Sequence, residues 1–163
     1  VGIDLDMMPT IDNKRIAIAL ERSGFTPSQP TPRVTWFGDN RDLACELAQL
    51  VRDGVKKASA GLLWMWELEG EPLPQPGEKQ IVVDWDGEPL AVIEITTVRV
   101  RPFGDVDDAF AREEGEGDGT LEWWRAAHTE YFGRECGRLG KQLTDDAPVV
   151  CWSFRLVHAV RAA

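Results

Sequence analysis

The chain has 163 residues, 28 of them Asp or Glu against 18 Lys or Arg, for a formal net charge of −10. That length suits one domain with at most a short appendage, and 43% apolar with 28% charged residues excludes a disordered or fibrous chain in favour of a soluble globular one. No apolar run reaches the roughly 20 residues of a membrane-spanning helix, and no basic stripe is present to track the phosphates of a long duplex nucleic acid.

The opening VGIDLDMMPTIDNK has neither the basic stretch nor the apolar core of a secretory leader. Cys45, Cys136 and Cys151 are odd in number and lack metal-ligand spacing, so reduced thiols in a cytoplasm are expected, with no metal and no cofactor. Thr10 is placed to cap a first helix, Ile11, Ile16 and Leu20 give it helical spacing, and Gly24 ends it. FTPSQPTPR then carries three prolines and reads as an extended linker, which makes residues 1–33 an appendage and 34–163 the main domain. Asp39 or Asn40 caps a second helix with Leu43, Leu47, Leu50 and Val51 on one face, closed by Gly54. ASAGLLWMWEL, short and rich in large apolar residues, reads as a strand.

EGEPLPQPGE is a loop, and KQIVVDW and EPLAVIEITTVRV are two strands of a hairpin turning on Asp86-Gly87. Residues 105–119 hold seven acids and one arginine, a net of −6, and read as an acidic loop. Thr120 caps a helix with Leu121, Trp124, His128, Tyr131 and Phe132 at helical spacing, running to about Leu139, and VVCWSFRLVHAV is a last long strand. The order helix, strand, hairpin, helix, strand predicts an α+β fold with a small antiparallel or mixed β-barrel.

FGDNRDLACELAQLVRDGVKKASAGLLW, PLPQPGE, FAREEGEGDGTLEWWRAAHTEYF and PVVCWSFRLV occur in that order. Over residues 34–158 the chain resembles the ASCH-domain family, in a longer form of it. The resemblance implies a PUA-like barrel with helices around a cleft, acting on RNA or its nucleosides. Some relatives hydrolyse the acetyl amide of N4-acetylcytidine, and at least one of the longer type is described as a ribonuclease. The family's lysine, a threonine three residues on, and a glutamate from the acidic segment fall here on Lys56, Ser59 and either Glu114 or Glu116. Serine for threonine keeps the hydroxyl and loses the methyl. Lys57 adds a second cation where relatives often have threonine, and Ala60-Gly61 replaces an arginine or serine.

Amide hydrolysis needs a nucleophile, a group to take and return a proton, and donors for the oxyanion. Ser59 requires a base, which a lysine beside a second cation supplies, and a glutamate can pass a proton to the leaving amine. The structural alternative is that Lys56 and Lys57 favour a helix end and Ser59 opens a strand. The acidic segment is likewise either a substrate-facing loop of carboxylates that raise one another's pKa or a solvated loop. Of seven tryptophans, Trp64 and Trp66 would share a strand face near the Lys56–Ser59 string, as stacking candidates for a base. Lys57 and Glu116 are further substrate-binding candidates, while His128 and His158 lack partners nearby in sequence and read as structural. The expected ligand is a nucleoside or short single-stranded RNA, not a membrane. The functions in contention are an amidohydrolase of N4-acylated cytosine nucleosides, a ribonuclease and a non-catalytic binding module.

Overall fold

The computed structural model describes residues 8–161, so the first seven residues of the leader reading and the last two residues of the predicted main domain lie outside it. Among the described residues five α-helices and five strands form an α+β fold, the expected class. The strands hydrogen-bond in the order β1-β3-β4-β5-β2 in a mixed sheet, with β1–β3 parallel and β3–β4 and β2–β5 antiparallel. They span Arg33–Thr35, Ala58–Leu62, Lys79–Val83, Pro89–Pro102 and Pro148–Ala159 for β1 to β5. The chain divides into two compact units, and β4 and β5 each contribute to both.

One unit comprises residues up to 55, 77–94, and from 155 on. Its first helix, α1 (Asn13–Arg22), is capped by Asp12, whose side chain accepts from the Lys14 and Arg15 amides, and not by Thr10. Asp12 wins because it directly precedes the helical turn, where a carboxylate reaches two otherwise unpaired N–H groups. Ile16 and Leu20 of α1 are buried with Ile81, Val83, Val92 and Val160. Asn40 caps α2 (Arg41–Arg52) through the Leu43 amide at 3.0 Å. The buried face of α2 is Ala44, Leu47, Ala48 and Val51, with Leu43 and Leu50 at its half-buried margins. His158 has partners the sequence order conceals: Ser23 Oγ lies 2.9 Å from its Nε2, and Phe25 stacks on the ring.

The predicted β3–β4 hairpin is present, with Asp84 Oδ1 accepting from the amides of Asp86 and Glu88 to tighten the turn. Gly87 adopts φ +77° there, and a Cβ at this position would strike the backbone carbonyl of Thr10. Gly87→Ala is therefore expected to destabilise the protein by at least about 1–2 kcal/mol from the left-handed backbone alone. Urea unfolding read by tryptophan fluorescence checks this.

The other unit comprises residues 56–76 and 95–154. ASAGLLWMWEL is not one strand: β2 ends at Leu62, and α3 (Leu63–Glu69) follows, closed by Gly70 at φ 67°. Leu, Met and Glu are good helix formers, and a left-handed glycine cap makes two turns sufficient. Nor is the acidic segment all loop. Asp107 caps α4 (Asp108–Glu114) through the Phe110 amide at 2.9 Å, because Phe110, Ala111 and Glu114 supply a buried face at helical spacing. Thr120 caps α5 (Leu121–Arg138) as expected. The core of this unit joins Ala58 and Leu62 of β2 and Val149 and Cys151 of β5 with Phe110 of α4 and Trp124, Phe132 and Cys136 of α5.

Candidate active site

Main-chain bonds fix the Lys56–Lys57 segment before β2. The Lys57 amide donates to the Glu113 carbonyl at 2.7 Å, and the Phe154 amide of β5 donates to the Lys57 carbonyl at 2.8 Å. Lys56 is thereby turned inward and is 1% exposed, whereas Lys57 is exposed. Lys56 Nζ donates to the Ala58 carbonyl at 2.8 Å and to Glu116 Oε1 at 2.5 Å. A lysine that merely favours a helix end stays in water. This one is desolvated and paired, which is rare without a structural or chemical reason.

Glu114, the last residue of α4, is also 1% exposed. Its Oε2 accepts from Trp124 Nε1 at 2.5 Å and lies 3.3 Å from His128 Nε2, while Oε1 has no hydrogen-bond partner of ordinary geometry among the described residues. Burial pushes its pKa up to about 8. Lys56 and the Trp124 N–H pull the other way, Glu116 adds to the rise, and the Ala60 backbone amide is the weakest influence. Glu114 is therefore an acid, and Glu116 the carboxylate that meets Lys56. The two candidates for one glutamate position hold different places in one cluster.

Trp124 and His128 sit one turn apart on α5 and stack at 4.0 Å with 14° between ring planes. His128 Nδ1 lies 2.9 Å from the Trp124 carbonyl oxygen, and burial pushes the ring's pKa down to about 4. His128, isolated along the sequence, has its partner in Glu114 on another helix. The only sequence signal was a Trp and a His four apart on an apolar helix face.

Ser59 is 8% exposed, and among the described residues its hydroxyl bonds to neither Lys56 nor Glu114. Strand alternation puts it on the face of β2 opposite Ala58 and Ala60, facing across from Trp152 of β5. On this second face Trp66 meets Trp152 edge-on at 5.4 Å, and Gly61 leaves the room, since a Cβ there would lie 2.6 Å from the Trp66 ring. Trp64 and Trp66 do not share a strand face. On α3 they are about 200° apart, and Trp64 packs on the core and takes Lys141 over its ring at 4.6 Å.

A cleft of about 290 Å³ in this unit is lined by residues that include Arg99, Arg101, Glu113, Cys151 and Ser153, and by none of Lys56, Ser59 and Glu114. Its polar groups largely satisfy one another, with Ser153 donating to Glu113 at 2.7 Å and Arg101 lying 3.5 Å from Asp107. Burial pushes the Cys151 thiol up to about 12, which makes it an inert hydrophobe. Among the described residues no three His, Cys, Asp or Glu side chains converge as a metal ion needs, and no helix is long and apolar enough to cross a membrane.

The family model described as ASCH domain matches residues 33–158. An ASCH domain from Lactobacillus crispatus JV V101 is 34% identical, with a TM-score of 0.80, covering 93% of this chain and 98% of that one. Protein EF3133 from Enterococcus faecalis V583 is 31% identical, with a TM-score of 0.77, covering 90% of both chains. No curated protein is significantly similar to the chain.

Proposed function

The chain belongs to the ASCH domain family, and on that premise we propose that it is an amidohydrolase removing an acyl group from the exocyclic nitrogen of a cytosine nucleoside. One observation supports this above all. A buried lysine is paired with one carboxylate, Glu116, beside a second, Glu114, which burial keeps protonated. An acid and a base held side by side in different protonation states are what amide hydrolysis uses. In this reading a water oxygen bonds to the acyl carbon while Glu116 takes one of its protons. The C–N bond breaks as Glu114 gives its proton to the leaving nitrogen, and the proton held by Glu116 then restores Glu114. Lys56 stabilises the developing oxyanion. Lys57, on the exposed edge of the same segment, donates to hydroxyl or carbonyl oxygens of the ligand.

Incubation with N4-acetylcytidine should release cytidine and acetate in equal amounts. Ser59→Ala separates the two possible nucleophiles: retained turnover assigns the attack to water, and turnover lost without loss of stability assigns it to the hydroxyl. A second reading, a nucleoside-binding module without turnover, is favoured by the position of Ser59 away from Lys56 on the Trp66–Trp152 face. It predicts saturable quenching of tryptophan fluorescence by N4-acetylcytidine with no cytidine formed. A ribonuclease would instead cleave labelled single-stranded oligoribonucleotides, with a steep salt dependence.

A further inference from the structure

We propose that His128 is a positioning residue for Glu114: its Nε2 accepts the carboxyl proton, so that the pair holds one proton between them and Glu114 stands ready as an acid. The geometry determines the tautomer. The Trp124 carbonyl can only accept, so the 2.9 Å contact requires a hydrogen on Nδ1, and a neutral ring then presents a lone pair at Nε2. The Nε2 nitrogen lies 3.3 Å from Glu114 Oε2, with the two side chains 9% and 1% exposed. A carboxylate there would set two acceptors against each other without water, whereas one proton between them turns the contact into a hydrogen bond.

The proton's resting place follows from the surroundings. Lys56 and Glu116, bonded to each other, act on the pair with opposite charges, Trp124 stacks on the His128 ring, and the neutral Cys151 thiol adds no charge. With the charges nearly balanced, burial decides, and it disfavours both imidazolium and carboxylate. The uncharged pair, Glu114 as acid and His128 as base, is the state that remains. Trp124 stacked on one side and Phe132 edge-on at 5.3 Å hold the ring in this orientation. The purpose of the proton rests on the hydrolase reading. Its location does not.

Long-range ¹H–¹⁵N spectra of histidine-labelled protein test this without any substrate. The chain has two histidines, and comparison with His158→Asn protein assigns them. His128 is expected to show the Nδ1-protonated neutral pattern at pH 7 and to keep it at pH 5. An Nε2-protonated ring, or an imidazolium at pH 6, would overturn the proposal. In His128→Asn the side-chain amide can keep the bond to the Trp124 carbonyl but removes the acceptor. The ¹³C carboxyl titration of Glu114 should then move down by one pH unit or more, and an unmoved midpoint would contradict the assignment. If the spectra agree while N4-acetylcytidine stays intact, the proton pair stands and the hydrolase reading falls.

Discussion

Lys56→Met is expected to cost up to about 3–5 kcal/mol of stability, because it leaves the partly buried Glu116 carboxylate without its cation. The side chain is 0% exposed and its partner Glu116 only 14%, so water cannot take over the lost interaction. The double substitution Lys56→Met with Glu116→Gln removes both charges, and should recover more than half of the loss. Chemical unfolding of the wild type, both single variants and the double variant closes this cycle. If the cluster acts as proposed, the double variant is folded and its turnover is reduced by at least about 10²–10³-fold, since it lacks the oxyanion donor and the base together. A single variant as stable as the wild type would mean that Lys56 is not desolvated as described.

Glu114→Gln should have little effect near pH 4.5 and stabilise the protein increasingly as pH rises from there to 8. The Glu114 carboxyl has its pKa raised from an ordinary 4.5 to about 8, so its contribution is complete below 4.5 and is lost as pH rises to 8. His128 is lowered from 6.5 to about 4, so its contribution is present above 6.5 and is lost as pH falls towards 4. Between 4.5 and 6.5 the two slopes oppose each other. From 6.5 to 8 only the Glu114 slope remains, amounting to about 2 kcal/mol across that window. Wild-type stability should therefore decline over this range while that of Glu114→Gln stays flat, since the amide is neutral at every pH and its N–H can meet His128 Nε2. Thermal or urea unfolding at half-unit pH steps measures this. Parallel profiles for the two proteins would place Glu114 in water.

Periodicity carries through where a helix has one apolar face and a clear cap. Leu121–Arg138 forms the helix expected, as does the run after Asn40, and the Asp86-Gly87 turn makes the hairpin. It fails where apolar content outruns pattern. LLWMWELE is apolar enough to pass for a strand, and the deciding feature is Gly70, two turns downstream, which closes a helix. It fails again in the acidic segment, where seven acids conceal the Phe110–Ala111–Glu114 face of α4. Within the site, Lys56 and the acidic segment are legible as a resemblance. What spacing cannot show is that Glu114 and Glu116, two residues apart, point at different partners. His128 is invisible for a related reason: its partner is fourteen residues away across a loop, and only packing brings α4 and α5 together.

The proposal that Glu114 is the acid of a hydrolytic site is tested most directly by cytidine release from N4-acetylcytidine between pH 5.5 and 9, in wild type and Glu114→Gln. The wild-type rate should be steady at low pH and fall as pH rises through about 8, where the carboxyl loses its proton. Glu114→Gln, folded and no less stable, should be slower by about 10²-fold or more at pH 6.5, as expected for a general acid. Equal rates for the two proteins, or no cytidine from the wild type at any pH, would contradict the account.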